Sequence, residues 1–379
     1  MQNKWKEVKL KNVEKIQSYR RSEDGRVDFY PRYIQLEHTN RCNAQCIMCN
    51  HFYLENKGAS DISEEIIQKV EPVLPYCQVL MLNGDGEPFL CKNIENYIEL
   101  YRKYGVRVST NTNFGHIPEK LWSLFEDGFD LLNISCDGAK KKTFEYIRKG
   151  LDFDRFCNNL DRLNETAPVL RKHLDCVVMR QNIQEVTEIV DFAKERGFEK
   201  VKFHMLGVNP CIGNQRDSAR EFLNLAVYHM SLAKEEAEKI GIAIEVPEEL
   251  NRLDLLQIPQ NEFDDGMSLD REEKKRHVQK YFGDQSLNCD YLKNKASQEM
   301  VENASFCAGK ICQWAVERCY IDLNGNVTTC CYNTRYHFGN LKEQSFEEIW
   351  NGELYRAFRR SMAEGRLPYW CRECNWLRE

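Results

Sequence analysis

The sequence predicts an α/β protein: a partial (β/α)6 TIM-like barrel followed by a smaller C-terminal domain of β-hairpin plus helix. Three observations predict it. Between residues 33 and 206 short apolar runs alternate with amphipathic ones six times, and such alternation argues for parallel strands joined by right-handed crossovers. Eight units would close a full barrel, so six leave it open. Three cysteines in "HTNRCNAQCIMCN" (38–50) directly follow the first strand, where parallel α/β architectures carry their chemistry. Eight of the 17 cysteines lie beyond residue 288, around an Asn324-Gly325 turn.

The elements follow in chain order. Residues 1–30 form an N-terminal extension whose start, "MQNKWKEVKLKNVEK", is polar and mixed in charge. With no apolar stretch behind it, this is neither a signal peptide nor a membrane span. The barrel domain is 31–215. "YIQLEH" (33–38) reads as its first strand, and "SDISEEIIQKVEPVL" (60–74) as a helix capped by Asp61 with Glu64 three residues on. "QVLMLNG" (78–84) is a strand and "NIENYIELYRKYG" (93–105) a helix stopped by Gly105. Strand 106–111, helix 118–128, strand 131–136 and a helical stretch over 140–165 come next. Strand 174–179, helix 183–197 and strand 200–206 complete the set. Residues 216–306 read as a helical connection: 218–241 is a good helix, and beyond it the periodicity breaks up among charges. The C-terminal domain, 307–379, reads as strand, Asn-Gly turn and strand with cysteines on its flanks.

Composition excludes some functions. The 379 residues are 42% hydrophobic and 30% charged, with a net charge of −6. That is ordinary soluble composition. Clustered Lys and Arg for a nucleic-acid surface are missing, and so is a membrane segment. The expected compartment is the cytoplasm. In a reducing compartment, cysteines serve as ligands, catalysts or buried thiols rather than disulfides. Cys77, Cys91, Cys136, Cys157, Cys176 and Cys211 are scattered and read as small buried hydrophobes.

Cys42, Cys46 and Cys49 are spaced three residues and then two. With His38 or His51 they would make a Cys3His zinc site. Three buried thiols without a metal are a second reading. As a third, three thiolates hold three irons of a [4Fe–4S] cube and leave the fourth iron open to an outside ligand. Cys-x3-Cys-x2-Cys after the first strand of an α/β alternation resembles the radical S-adenosylmethionine (SAM) superfamily. The resemblance implies that the amino and carboxylate groups of SAM chelate the open iron and that reductive cleavage yields a 5′-deoxyadenosyl radical. It spans about residues 30–210. Gly84, Gly86 and Glu87 in "NGDGEPFL" resemble the motif that receives the SAM amino group, and glycines permit that close approach. Thr112-Asn113 stands where the family often has a Thr-Asn pair. Ser135 and Asp137, on one side of the fourth strand's end, resemble residues that bind SAM ribose or carboxylate. Arg148 matches an arginine that holds the carboxylate. Asn182 and Val186 match positions near adenine or ribose. The residue before the third cysteine is often aromatic in the family; here Met48 would pack on adenine through its thioether.

Cys312, Cys330, Cys371 and Cys374 form a second, four-thiolate set, for which zinc and iron–sulfur are both open from the spacing alone. The order Cys312, Gly325, Cys330, "FGNL", "FEEIWNG" and Cys-x2-Cys resembles the SPASM/twitch extensions of radical SAM enzymes, which bind auxiliary [4Fe–4S] clusters. A chain ending five residues after Cys374 matches the shorter twitch form with one auxiliary cluster, in a pattern similar to that of butirosin-type inosamine dehydrogenases. Cys331 is an alternative to its neighbour Cys330, and Cys289, Cys307 and Cys319 have no assigned role. The resemblance implies two [4Fe–4S] clusters, SAM, and an electron donor such as flavodoxin or ferredoxin. The expected reaction is oxidation of a small alcohol or sugar-like molecule, with the auxiliary cluster taking the second electron. No catalytic side chain is assigned. His204 is a candidate base, against a buried structural role. The alternatives are a peptide maturase forming a crosslink, an epimerase returning hydrogen from a cysteine, and, most remotely, a non-enzymatic zinc scaffold. The 30 residues before the first strand are too few for a winged-helix peptide-recognition domain, which favours a small substrate.

Overall fold

The computed structural model describes residues 2–19, 24–49, 51, 58–208, 213–252, 305–306, 312, 314–331, 337–367 and 371. The elements are helix α1 (Gln2–Ser18), strand β1 (Tyr33–Leu36), α2 (Glu64–Val70), β2 (Val79–Met81), α3 (Ile94–Lys103), β3 (Arg107–Thr112) and β4 (Leu131–Ser135). They continue as α4 (Lys141–Ile147), α5 (Phe153–Thr166), β5 (Lys172–Val178), α6 (Val186–Glu195), β6 (Lys200–Met205), α7 (Leu223–Ile240), β7 (Ala243–Glu245) and β8 (Ser305–Phe306). Last come α8 (Trp314–Glu317), β9 (Arg318–Ile321), β10 (Asn326–Thr328), β11 (Gly339–Asn340), α9 (Phe346–Trp350), α10 (Glu353–Ala363) and β12 (Arg366–Leu367).

By packing, these elements form two compact units that interleave along the chain. The first draws on 1–41, 59–109 and 289–379, the second on 42–58 and 110–288. Strand β3 spans the boundary between Ser109 and Thr110. The first unit orders its strands β11-β10-β9-β1-β2-β3, and the second β3-β4-β5-β6-β7. Strands β1, β2 and β3 are parallel, and so are β4 to β7. This is the mixed α/β architecture of a partial barrel. The C-terminal hairpin joins it directly: β9 pairs parallel with β1, Tyr33 against Arg318 through Leu36 against Ile321, and antiparallel with β10. Alternate positions of the strands, such as Ile34, Leu80, Val108, Leu132, Ile134, Leu174, Cys176 and Val201, are fully buried, as apolar residues beneath a helical layer should be.

Several elements differ from expectation for local reasons. Helix α2 starts at Glu64, capped by Ser63, whose side chain accepts the Ile66 N–H. Asp61 does not cap it. Its carboxylate instead accepts from the Thr39 hydroxyl at 2.6 Å and Arg41 Nε at 3.1 Å. Residues 119–125 wind as a tight 3-10 helix around the Phe114–Trp122–Phe125 aromatic cluster. The stretch 140–165 is two helices, parted where Gly150 takes φ +90 and Asp152 caps α5 through the Arg155 N–H. A strand not anticipated from the sequence, β7, follows α7 after Gly241 (φ +69) and pairs with β6. Of the scattered cysteines, Cys77, Cys91, Cys136 and Cys176 are buried, Cys157 is only half-buried, and Cys211 lies outside the described residues. Residues 253–304, most of the connection, lie outside them too, and with them Cys289, as do Cys307 and Cys374. Among the described residues no helix is long and apolar enough to cross a membrane.

Candidate functional site

In the second unit the cysteine loop is held by its own backbone. Gln45 N–H donates to Lys149 O at 2.6 Å, Ile47 N–H to Ile147 O at 2.9 Å, and Cys49 N–H to Cys46 O at 3.1 Å. Gly150 lies under it, where an added Cβ would stand 3.0 Å from Asn43 O. Asn113 braces it from the end of β3: its amide donates to Asn43 Oδ1 at 2.9 Å, lies 3.9 Å from Cys42 Sγ, and accepts from Gly115 N–H at 2.9 Å. Thr112 makes the matching turn bond, its hydroxyl accepting the Phe114 N–H at 2.9 Å. Between them Phe114 is the one non-glycine residue with positive φ (+50) among those described, a strained conformation held by its packed ring. Cys46 is buried, and Cys42 and Cys49 are half-buried.

Arg148 is no surface arginine. It is buried, its Nη2 sits 2.7 Å from Asp137 Oδ2, and its Nη1 lies 3.9 Å from Cys46 Sγ. Asp137, at the end of β4, also accepts the Val177 N–H at 2.7 Å. Burial pushes the Cys46 thiol up to about 12, against the pull of the Arg148 cation and with the other two cysteines adding to the rise. A thiolate here therefore needs positive charge beside it, which a metal cluster and this guanidinium both supply. Arg148 Nε is buried without a hydrogen-bond partner.

The other predicted positions divide by exposure. Met48 packs half-buried on an apolar cluster of Ile47, Ile147, Met179 and Leu206, beside Tyr146 and Val177. Ser135 is half-buried at the end of β4. Asn182 is buried and its amide is committed to the chain: it donates to Asp137 O and Val177 O at 3.0 and 2.9 Å and accepts from Met179 N–H at 2.9 Å. Val186 is fully buried at the start of α6.

The first unit carries the glycine-rich turn. Gly86 packs on the backbone just before the cysteines: an added Cβ would lie 2.4 Å from Thr39 O and 2.7 Å from Arg41 O. Glu87 is buried, donates its N–H to Arg41 O at 2.7 Å, and caps residues 88–90 through the Phe89 N–H. Gly84 faces Glu37, whose Cγ would be 2.3 Å from an added Cβ. Glu37, which sequence reasoning passed over, is buried and accepts from the Asp85 N–H at 2.8 Å. His38 does not serve as a metal ligand. It is sealed in the core with Nδ1 on Leu36 O and Nε2 on the Tyr101 hydroxyl, and burial lowers it to about 4. The zinc site that would use it is thereby removed.

A further polar set, of which the sequence singles out only His204, lies on β3 to β6 of the second unit. Asn133 donates to Asn111 at 2.9 Å, and Lys202 donates to Asn133 at 2.8 Å. Lys202 Nζ and His204 Nε2 lie 3.8 and 3.7 Å from Asp175 Oδ1, which is buried and accepts no hydrogen bond. His204 is half-exposed, not buried as a structural histidine would be. The signal was available: polar residues recur at every second position of "NIS", "HLD" and "KVKFH", and a period of two puts them on one sheet face.

In the C-terminal region Cys312 and Cys330 are half-buried and Cys319 is fully buried in β9. Burial raises the Tyr355 hydroxyl, with the Cys319, Cys330 and Cys312 thiols adding to the rise. Burial raises the Cys331 thiol, with Cys330 adding to the rise and Arg318 and Gln35 opposing it. Cys371 is half-buried. Among the described residues no three His, Cys, Asp or Glu side chains converge as ligands of a single metal ion; a cube distributes its thiolates over separate irons and does not require such convergence.

The comparisons with known proteins agree with this chemistry. The family model described as Radical SAM superfamily matches residues 36–193, and the SPASM iron-sulfur cluster-binding domain matches 312–375. An AdoMet-dependent heme synthase of Methanosarcina barkeri is 23% identical over 345 residues, covering 87% of this chain and 85% of that one. A probable GTP 3′,8-cyclase of Thermoplasma volcanium is 29% identical over 227 residues, 58% of this chain and 65% of the relative, so the chain spans just under two thirds of that protein. In fold, the chain matches anSMEcpe with bound AdoMet (TM-score 0.59, 18% identity, 92% of this chain and 84% of that one). SuiB of Streptococcus suis bound to S-adenosylmethionine matches equally (TM-score 0.59, 14% identity, 92% and 71%).

Proposed function

Since this chain is a radical SAM enzyme with a C-terminal SPASM domain, using SAM and two [4Fe–4S] clusters, we propose that it oxidises a small, hydroxylated substrate. When bound, the first cluster supplies the electron that cleaves SAM to a 5′-deoxyadenosyl radical, and the second takes an electron from the substrate. Cys42, Cys46 and Cys49 hold the first. Cys312, Cys330, Cys371 and Cys374 would hold the second, as a single twitch-type cluster. Gly84, Gly86 and Glu87 receive the SAM amino group, Ser135 and the Asp137–Arg148 pair its ribose and carboxylate, and Met48 its adenine. Thr112, Asn113, Asn182 and Val186 shape the turns around them. The segments 1–30, 31–215, 216–306 and 307–379 are the proposed domains, and a flavodoxin or ferredoxin the proposed electron donor.

The observation that carries the oxidation is the polar row Asn111, Asn133, Lys202, Asp175 and His204. Amides and a cation suit hydroxyl groups. His204 is placed to take the proton of a substrate hydroxyl, with Asp175 beside it to stabilise the imidazolium that forms. The heme synthase relative, matched over most of both chains, is named for a non-peptide product, heme, which supports a small substrate. The test is turnover of reduced, reconstituted protein on a panel of sugars and cyclitols deuterated at carbon. Transfer of deuterium into 5′-deoxyadenosine, with a ketone product that is lost in His204→Gln, is the expected outcome. Solvent deuterium at an inverted carbon would establish an epimerase instead, and a peptide product lighter by two mass units a maturase.

A further inference from the structure

Glu37 closes β1 and stands at a junction of the first unit. Its backbone N–H donates to Ile321 O at 2.9 Å, continuing the β1–β9 pairing. Its side chain does two different things. Oε1 accepts the Asp85 N–H at 2.8 Å, inside the glycine-rich turn, and Oε2 accepts the Leu323 N–H at 3.0 Å, at the tip of the C-terminal hairpin. The Tyr320 hydroxyl lies 3.5 Å from Oε2. The carboxylate is buried, and its two oxygens are divided between the two segments. Gly84 leaves room for it, since any side chain there would collide with Glu37 Cβ and Cγ.

We propose that Glu37 is a positioning residue that ties the SAM-binding turn to the hairpin of the auxiliary-cluster domain, so that SAM binding is felt at the second cluster. This rests on the reading of residues 84–87 as a SAM-binding turn. Only a group with two acceptor oxygens can serve both N–H donors. A glutamine has one acceptor and one NH2, and either orientation sets an N–H against another donor. An aspartate keeps the charge and is one methylene too short to span both. Coupling of two sites through such a shared element is reciprocal by thermodynamic necessity.

The experiment uses the full chain, reconstituted with iron and sulfide, as wild type, Glu37→Gln and Glu37→Asp. Three quantities are read: iron per chain, the dissociation constant for SAM, and the auxiliary cluster's reduction potential with and without SAM, followed by electron paramagnetic resonance. In the wild type SAM shifts that potential. In both variants iron stays at about eight per chain, SAM binds roughly tenfold more weakly, as loss of one charge-assisted hydrogen bond implies, and the potential no longer responds to SAM. A merely structural role would lower the unfolding temperature and leave the response intact. SAM affinity within about twofold of wild type in a folded variant, or a SAM-dependent potential shift that survives both substitutions, overturns the proposal. If one variant is insoluble, the other carries the test alone. A wild-type chain that fails to bind SAM overturns the underlying reading instead.

Discussion

A Cβ at Gly86 would enter the backbone of residues 39–41, immediately before the first cysteine, at 2.4 Å from Thr39 O. Backbone cannot rotate away as a side chain can, so Gly86→Ala should cost about 1–3 kcal/mol of stability by overpacking, read from denaturant unfolding. Gly207→Ala, where no atom lies within 4 Å of the added Cβ, is the control and should be near neutral. Asp61, Asn182 and His38 carry the lesson of this scale. Each has a side chain that sequence patterns assign to a cap, a cofactor or a metal. In the structure Asp61 bonds Thr39 and Arg41, the Asn182 amide bonds backbone, and His38 bonds Leu36 O and Tyr101. Short-range spacing tells which chemistry a side chain has. It does not tell which partners will use it, because some of them, Thr39 and Arg41 for Asp61, Asp137 for Asn182 and Tyr101 for His38, come from 20 to 63 positions away.

At the scale of elements, α1 is docked through a buried lysine. Lys9 Nζ donates to Cys77 O at the turn before β2, and burial lowers its pKa to about 8. Between about pH 8 and the ordinary lysine value near 10.4 the unfolded chain binds a proton that the folded chain has released, so stability should rise with pH across that window. Lys9→Met, which keeps the apolar stem and removes the titration, should flatten the rise; urea midpoints at pH 7.5, 9 and 10.5 measure it. A wild-type midpoint that falls over this range relative to the variant would contradict the assignment. Helix α1 was legible only as an N-terminal extension, since its pattern is mostly polar. The split between α4 and α5 was masked by continuous helical propensity across 140–165, and Gly150 alone marked the break. By contrast, the stop of α3 at Gly105 (φ +63) and the hairpin at Gly325 (φ +87) were read correctly, because a left-handed residue is a local requirement.

For the whole molecule the two cysteine sets predict a metal inventory. Reconstituted protein should hold about eight irons, and the chain with Cys42, Cys46 and Cys49 replaced by Ala about four; two zinc ions and no visible absorbance would sink the reading. If, as proposed, the second set serves only the later electron, replacing Cys371 and Cys374 by Ala should keep 5′-deoxyadenosine formation and abolish oxidised product. The sequence by itself determined the fold class and the place of the first cysteine loop, since alternating periodicity and loop spacing are local to the chain; the cofactor chemistry came from its resemblance to the radical SAM superfamily, because spacing alone left zinc and iron–sulfur both open. The sequence did not reveal that β9 of the C-terminal region adds to β1 in parallel, that a seventh strand follows α7, that Arg148 turns inward to Asp137 and Cys46, or that Glu37 joins two segments more than 200 residues apart. Those were decided by the tertiary structure. A strand edge and a buried charge both demand partners, and which partner arrives depends on the packing of segments that no local pattern encodes.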